Sequence, residues 1–168
     1  MFSCWGWATW RRAWQHYDFG IKLWPELRET SWLQSILGND RAVEFYRKVF
    51  DQAHLSANNL HYWDYQWAFT CWANSGLAVV PAANLIQNIG FGAAATHTKA
   101  EAGPVGRLQA EGLDFPLRHP SALFPDRDAD LFHINLVVPE EKKQLSYLRS
   151  MVRKGLARGT KLLRLRSN

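Results

Sequence analysis

The central part of the sequence has almost no charge. Between Asp51 and Lys99, Asp64 is the only aspartate, glutamate, lysine or arginine. Cysteine is scarce too, and Cys4 and Cys71 form no metal-binding or disulfide spacing pattern, which favours a reducing compartment. No apolar run approaches the ~20 residues that cross a bilayer, and the sequence opens without a secretory signal pattern. We therefore expect a cytoplasmic protein that is soluble or peripheral to a membrane.

Several common catalytic motifs are missing as well. The sequence contains no GxGxxG leading into a helix, no GxxxxGK, no GxSxG and no CxxC. Their absence argues against the dinucleotide-binding, P-loop, α/β-hydrolase and zinc-ribbon classes. The length of 168 residues suits one domain, or part of one.

Positive charge is concentrated at one end of the chain. Residues 139–168 hold nine lysines and arginines against two glutamates, a net charge of +7, whereas the other 138 residues hold eleven basic and thirteen acidic residues. The body is therefore not a basic surface for nucleic acid, and we expect no nucleic-acid partner. Apolar residues recur near helical spacing among the cations of residues 140–168, which predicts a basic amphipathic helical tail. Its alternatives are a solvated face, peripheral contact with an anionic membrane, and a disordered end.

Tryptophan, in contrast, is abundant. The chain has nine tryptophans, and 14% of its residues are aromatic. We expect most of these rings to pack in the core, yet this is more indole than a core of this size needs. Aromatic rings also stack on the C–H faces of sugars. Carbohydrate is therefore a candidate ligand.

Hydrophobic periodicity predicts a mainly helical chain with a few short strands. The first predicted helix has Trp7, Trp10 and Trp14 on one face and Thr9 as its N-cap. A bend at 23–27 around Pro25 and a short helix near 31–37 follow. A longer helix is predicted from Asn39 or Asp40 to about Ala53, and a buried helix from Trp63 to Asn74 that ends at Gly76. Residues 77–80 and 85–89 are short apolar runs broken by Pro81, which predicts two strands. Residues 119–130 are expected to be irregular, and 120–139 are assigned as the linker between the catalytic part and the tail.

Asp64 is the candidate catalytic residue because it stands alone among large rings, those of Trp63, Tyr65 and Trp67. Carboxylates in such surroundings are over-represented at active sites, and a partly buried one can serve as a general base. The structural alternative is that Asp64 caps the helix that starts near Tyr65, where a carboxylate also complements the helix dipole. Both roles are compatible with the sequence.

A glycine-rich loop without charge follows this helix. Residues 90–98 read GFGAAATHT, and their small side chains and hydroxyls suit closure over phosphate oxygens. His97, between Thr96 and Thr98, can ligate a divalent metal when neutral or pair with phosphate when protonated. The sequence does not distinguish these roles from a structural one.

A second acidic pattern is a weaker candidate. Asp126, Asp128 and Asp130 form Asp-x-Asp twice, a metal-holding pattern in many sugar-nucleotide enzymes. In those enzymes the pattern follows an apolar strand, whereas here it follows Pro125 in a polar stretch. We therefore reject it as a metal site.

Four segments in a fixed order resemble a known family. They are WGWATWRRAW (5–14), WPEL (24–27), WDYQWAFTCW (63–72) and NIGFGAAATHT (88–98). Together they resemble the C-terminal half of bacterial nucleotide-diphospho-sugar transferases with the GT-A fold, including sequences labelled hemolysin-like. More distantly, they resemble the animal N-acetylglucosaminyltransferase that starts complex N-glycans. The resemblance covers about residues 2–119, and its specific part is the order and spacing of the segments.

The resemblance implies an α/β fold and an inverting glycosyl transfer. Asp64 matches the position of the catalytic base, and residues 90–98 match a loop that orders over the phosphates of the donor. The implied site residues are Asp64 as catalytic base, Gly92, Thr96, His97 and Thr98 at the donor phosphates, with His97 also a candidate metal ligand, and Trp5, Trp7, Trp63 and Tyr65 at the sugar or acceptor.

The resemblance also implies that this sequence is the acceptor-side part of a longer catalytic domain. A nucleotide-binding half with an Asp-x-Asp site is expected to precede Trp5, and it would hold most of the ligands of a divalent Mn or Mg ion. The expected organisation is a catalytic part at 1–119, a linker at 120–139 and the basic tail at 140–168. The implied partners are a nucleotide-sugar donor and a glycan or other hydroxyl acceptor. The alternative function is a non-catalytic module that binds carbohydrate through its tryptophans, or an interaction module.

Overall fold

The computed structural model describes residues 4–55, 63–91 and 108–140. The chain divides into two compact units that alternate along the sequence. Among the described residues, the first unit contains 9–55, 63–77 and 125–140, and the second contains 4–8, 78–91 and 108–124. All α-helices within the described residues belong to the first unit, and they are α1 (Arg11–Trp14), α2 (Trp24–Leu27), α3 (Trp32–Leu37), α4 (Asp40–Leu55), α5 (Asp64–Ala73) and α6 (Arg127–Val137).

The junction between α3 and α4 follows directly from two residues. Gly38 has a left-handed φ of 58°, which ends α3, and its N–H donates to the carbonyl of Gln34 at 2.9 Å. Asn39 then caps α4, because its Oδ1 accepts from the N–H of Ala42 at 3.0 Å. The predicted helices at 31–37 and 40–53 are confirmed.

The core of the first unit forms around α4. Apolar side chains recur every three or four residues along this helix, so one face is buried. Phe50 lies at the centre, with ring centroids 5.2 Å from Phe69, 5.3 Å from Trp24 and 5.9 Å from Trp72. Helices α2, α3 and α5 thus pack against the same face of α4.

Helix α5 confirms the predicted buried helix in the centre of the sequence. Trp67, Ala68, Phe69 and Trp72 are all buried along it. The helix ends where Ser75 adopts a left-handed φ of 53° and the N–H of Gly76 donates to the carbonyl of Cys71 at 2.7 Å. The stop therefore lies where it was predicted, although the left-handed residue is Ser75, one position earlier.

Helix α6 lies within the predicted linker, so the prediction that residues 119–130 are irregular is wrong for residues 127–130. Asp126 caps this helix by accepting from the N–H of Ala129 at 3.0 Å. Ile134 and Val138 are buried in the core of the first unit. The guanidinium of Arg127 donates to the carbonyl of Ile36 at the end of α3, at 2.6 Å.

The N-terminal predictions need two corrections. Helix α1 begins only at Arg11, so Trp7 and Trp10 lie outside it, and the N-cap position is Trp10 rather than Thr9. The predicted bend around Pro25 is a single helical turn, α2, with the proline in its first turn. A proline is tolerated there because the N–H that it lacks has no partner inside the helix.

The second unit is irregular within its described residues, 4–8, 78–91 and 108–124. The prediction of strands at 77–80 and 85–89 is wrong, because these residues form no ladder and Val80 and Ile89 are 75% and 91% exposed. The unit is instead connected through Asn84, whose carbonyl accepts from the N–H of Glu111 at 2.7 Å and whose Nδ2 donates to the carbonyl of Gln109 at 2.8 Å. The predicted basic tail at 140–168 lies outside the described residues, apart from Glu140.

Candidate functional site

Asp64 is the first residue of α5. Its Oδ1 accepts from the N–H of Tyr65 at 3.1 Å, and this is the one hydrogen bond of the Asp64 side chain that the described residues provide. The negative charge also lies at the helix end that favours it. The prediction that Asp64 caps this helix is wrong, because the N-cap position is Trp63, no side chain caps the helix, and Asp64 is already its first helical residue. The second carboxylate oxygen makes no hydrogen bond to the described residues, and the side chain is only partly buried.

Aromatic rings from α1, α5 and the turn after α1 pack together beside Asp64. Within this ring cluster, defined as Trp14, Tyr17, Trp63 and Trp67, Trp14 is central. It stacks on Tyr17 with centroids 4.5 Å apart and planes 6° apart, and it lies 4.9 Å from Trp67 and 6.3 Å from Trp63. Trp67 is 3% exposed, whereas Trp14 and Trp63 are 40% and 37% exposed. The ring cluster thus contains one buried indole, that of Trp67, and two indoles that are partly exposed to solvent.

The helical spacing of α5 explains this arrangement. Trp63 and Trp67 are four residues apart and share one face of the helix, and Asp64 is three residues before Trp67. Tyr17 packs against Trp67 at 6.3 Å. A partly buried carboxylate and a surface of exposed indole therefore occupy neighbouring positions at the start of one helix.

Tyr17 is a site residue that the sequence analysis missed. Its hydroxyl is buried and has no hydrogen-bond partner in the described structure. Burial, followed by the negative charges of Asp64 and Asp18, raises the pKa of the Tyr17 phenol above its ordinary value. The phenol therefore keeps its proton at neutral pH and is a hydrogen-bond donor close to Asp64.

Gln66 is a second buried polar side chain on α5. Its side chain is 0% exposed, and neither its Oε1 nor its Nε2 has a partner in the described structure. Gln66 shares a helix face with Trp63 and Thr70, at spacings of three and four residues. No sequence signal separates it from an ordinary helical glutamine.

The predicted contacts to sugar or acceptor fall in three places. Trp63 belongs to the ring cluster. Tyr65 packs against α4, with its ring 6.5 Å from Phe45 and 6.4 Å from Tyr46. Trp5 and Trp7 belong to the second unit.

Within the second unit, a turn at Gly6 separates these two tryptophans. Gly6 has a φ of +60°, which strains any residue with a Cβ, and a Cβ at this position would lie 2.0 Å from Cδ1 of Ile86, so the position favours glycine. Trp5 is 42% exposed and meets Phe91 edge-on at 5.9 Å.

The remaining predicted site residues, Gly92, Thr96, His97 and Thr98, lie outside the described residues. In the described part of the chain, no three histidine, cysteine, aspartate or glutamate side chains come together as a metal site. Asp126 caps α6. The described residues therefore include no such group for the divalent ion that the resemblance implies.

A charged groove of about 460 Å³ lies along α4, away from Asp64 in the sequence, and it is lined by Arg28, Asp40, Val43, Glu44, Arg47, Lys48 and Asp51. Two of its carboxylates are already paired, since Asp51 accepts from Arg28 at 2.6 Å and Glu44 accepts from Lys48. The Asp51 carboxylate also accepts from the indole N–H of Trp24 at 3.0 Å. We infer that the charged residues along this groove contribute to the stability of the first unit.

The described helices include none that is both long enough and apolar enough to cross a membrane. A comparison of the chain with protein-family models, curated proteins and solved structures found no match.

Proposed function

We propose that this chain supplies the acceptor side of an inverting glycosyltransferase, which moves a sugar from a nucleotide-diphospho-sugar to a hydroxyl of a glycan or other acceptor. The order of the four sequence segments supports this proposal. The observation that carries it is the placement of Asp64, whose second carboxylate oxygen is unpaired in the described structure, next to indoles that reach solvent.

The chemistry needs a base at the acceptor hydroxyl. Asp64 accepts the hydroxyl proton while the acceptor oxygen forms a bond to the anomeric carbon. The bond from that carbon to the diphosphate breaks, and the nucleoside diphosphate leaves with the electron pair. The exposed faces of Trp14 and Trp63 provide a stacking surface for the acceptor sugar. In this proposal residues 92–98, with Gly92, Thr96, His97 and Thr98, contact the donor phosphates.

The test is the Asp64→Asn substitution in the full-length protein, with transfer assayed from a panel of UDP-, GDP- and CDP-sugars in the presence of Mn²⁺ or Mg²⁺. Asparagine keeps an oxygen that can accept from the Tyr65 N–H, so the helix end is preserved. General-base catalysis contributes roughly 10²- to 10⁴-fold, so turnover should fall by about that factor while donor affinity changes little.

Asp128→Asn is the matched control. Asp128 also lies in the first turn of a helix, α6, and it is exposed. This variant should transfer at the wild-type rate. Transfer by the Asp64 variant at a rate close to wild type would remove Asp64 from the mechanism.

The second candidate is a carbohydrate-binding module without catalysis. It is favoured by tryptophans that remain exposed, above all Trp10, which is 61% exposed and carries the guanidinium of Arg12 5.0 Å from its ring centroid. Such a module should bind glycans with no effect of nucleotide. The transferase should instead show protection of residues 90–98 from hydrogen exchange when UDP-sugar and Mn²⁺ are added.

A further inference from the structure

Residues 10–23 expose several large apolar side chains. This stretch, WRRAWQHYDFGIKL, runs from the N-cap of α1 to the N-cap of α2, and we name it the basic aromatic segment. Besides Trp14 of the ring cluster, its exposed apolar side chains are Trp10 at 61%, Phe19 at 41% and Leu23 at 42%. A single exposed apolar residue is ordinary, whereas several in one short segment indicate a surface that contacts an apolar partner.

The segment is attached to the core of the first unit between these exposed residues. Ile21 is 0% exposed and belongs to the core, as does Trp24 directly after the segment. The N–H at Nδ1 of His54, on α4, donates to the carbonyl of Gly20 at 3.1 Å. The segment therefore buries some of its apolar side chains and holds the others at the surface.

Positive charge lies beside the exposed apolar side chains. Arg11, Arg12 and Lys22 are all exposed. The guanidinium of Arg12 lies 5.0 Å from the ring centroid of Trp10, so a cation and an indole share one place on the surface. Lys22 directly precedes Leu23 in the sequence.

The one acid of the segment is engaged by the backbone. Asp18 is partly buried, and its two carboxylate oxygens accept from the N–H of Gly20 at 3.0 Å and from the N–H of Lys22 at 2.7 Å. The segment holds three basic residues and one acidic residue, a net charge of +2, whereas the rest of residues 1–138 holds eight basic and twelve acidic residues, a net charge of −4. An anionic surface therefore attracts this segment and repels the rest of the body, which orients the molecule.

We propose that the basic aromatic segment docks on an anionic lipid membrane. The rings of Trp10 and Phe19, with Leu23, enter the boundary between headgroups and acyl chains, and Arg11, Arg12 and Lys22 contact the anionic headgroups. Tryptophan favours this boundary because its ring is apolar and its N–H is polar, and peripheral binding combines buried apolar area with attraction between charges. This surface differs from the basic tail, and the inference does not depend on glycosyl transfer.

Single-stranded nucleic acid is the other partner that cations beside aromatic rings attract, because its bases stack on the rings. Two observations favour lipid. Leu23 has no ring on which a base could stack, yet it is exposed together with the rings. Proteins that hold single strands use a positively charged groove, whereas the groove along α4 is lined by three basic and three acidic side chains.

The test is co-sedimentation of the full-length protein with phosphatidylcholine vesicles, with and without phosphatidylserine, at low and at high salt. We expect binding to the vesicles that contain phosphatidylserine, with affinity that falls as salt is added. Brominated phosphatidylcholine in the same vesicles should quench tryptophan fluorescence. Residues 139–168 contain no tryptophan, so the quenching reports contact by the body of the protein and not by the tail.

Three single variants measure the contribution of the segment. Trp10→Ala should weaken binding to the anionic vesicles roughly tenfold and Phe19→Ala roughly fivefold, because apolar area no longer enters the lipid. Arg12→Gln should weaken it roughly fivefold, because one headgroup contact is lost. All three positions are exposed, so urea unfolding should change little.

Two matched controls make the same chemical changes elsewhere. Phe132→Ala alters a phenylalanine of α6 that is 68% exposed, and Arg118→Gln alters an exposed arginine of the second unit. Both should bind the anionic vesicles as the wild type does. Because they are exposed like their counterparts, a difference between the two sets is specific to the basic aromatic segment.

Four results would overturn the inference. The first is a wild-type protein that sediments with neither kind of vesicle, and the second is sedimentation without quenching by the brominated lipid, which would assign the binding to the tail. The third is wild-type affinity in Trp10→Ala, Phe19→Ala and Arg12→Gln alike. The fourth is binding to poly(U) that is tighter than binding to vesicles and is lost in the same variants, which would assign the segment to single-stranded nucleic acid.

Discussion

The most informative stability prediction concerns Asp51→Ala. Trp24 is 1% exposed, and its indole N–H donates to the Asp51 carboxylate at 3.0 Å. The same carboxylate accepts from Nε and Nη2 of Arg28 at 2.6 and 2.9 Å. The substitution therefore removes one buried hydrogen bond and one ion pair at the same time.

The two losses differ in size. Leaving the buried indole N–H without an acceptor costs about 1–3 kcal/mol. The ion pair adds little, at most about 1 kcal/mol, because the Arg28 side chain is 39% exposed and its charge is screened by solvent. We expect Asp51→Ala to lose about 2–3 kcal/mol of unfolding free energy at pH 7. Asp51→Asn, which keeps an acceptor for Trp24, should lose about half as much.

Urea unfolding followed by circular dichroism measures these differences. Glu44→Ala is the control, because it removes an exposed ion pair with Lys48 on the same helix and should cost less than about 0.5 kcal/mol. A loss below about 0.5 kcal/mol in Asp51→Ala itself would refute the reasoning about Trp24.

The pH dependence provides a second check on Asp51. Burial alone would raise the pKa of this carboxyl, but hydrogen bonds from Arg28 and Trp24 outweigh it, so the folded pKa lies below the ordinary value. The stabilisation is therefore complete above about pH 4 and is lost as the pH falls through the folded pKa. The difference between wild type and Asp51→Ala should narrow in that acidic range. If the difference in unfolding free energy between wild type and Asp51→Ala stayed constant down to the folded pKa, the ionised carboxylate would not be the stabilising form.

Three further outcomes are expected. Phe50→Leu should lose about 1–2 kcal/mol by urea unfolding, because Phe50 is fully buried among other rings, whereas Phe132→Leu, at a 68% exposed position, should lose less than about 0.5 kcal/mol. Burial raises the pKa of the Cys71 thiol from an ordinary 9.0 to about 11. In a Cys4→Ser background, iodoacetamide at pH 8 should therefore label Cys71 roughly 100-fold more slowly than a free thiol, and equal rates would contradict its burial. Burial lowers the pKa of His133 in the folded protein. At a pH below the ordinary histidine pKa of about 6.5, unfolding therefore lets His133 take up a proton, which favours the unfolded state. The free energy of unfolding should fall as the pH drops from 7 to 5, and it should fall less steeply in His133→Gln.

Local signals in the sequence predict the central helices well. The apolar spacing of α4, its Asn39 cap and the Gly38 stop are each encoded within a few residues, and the structure contains all of them. The same holds for α5, whose length and ring-rich composition predict a buried helix. Such elements are predictable because the interactions that define them are short-range.

The errors have a common origin in contacts between distant residues. Residues 77–80 and 85–89 have the composition of strands, but a strand needs a partner, and this part of the chain finds none in the described structure. Helix α6 buries Ile134, followed by Val138, in a core that segments distant in the sequence build. Its Asp126 cap and the spacing of Ile134 and Val138 were the available signals.

The candidate site divides in the same way. Asp64 is conspicuous in the sequence because it is the one charge in a long uncharged stretch. Gln66 and Tyr17 are conspicuous only in three dimensions, because a missing hydrogen-bond partner is a property of the folded chain. The donor-phosphate role of Gly92, Thr96, His97 and Thr98 and the GT-A architecture stay predictions.

The way in which the first unit is assembled matters for anyone shortening this protein. Ile134 and Val138 belong to a core whose other members lie at or before Ala73, so about sixty residues of chain separate these two side chains from the rest. A truncation that stops before Pro125 would remove both side chains from the core and leave a cavity there. It would also remove the hydrogen bond from the Arg127 guanidinium to the carbonyl of Ile36 at the end of α3. Conversely, a protease cut within residues 78–124 should release nothing from this unit, since both fragments remain attached through buried surface.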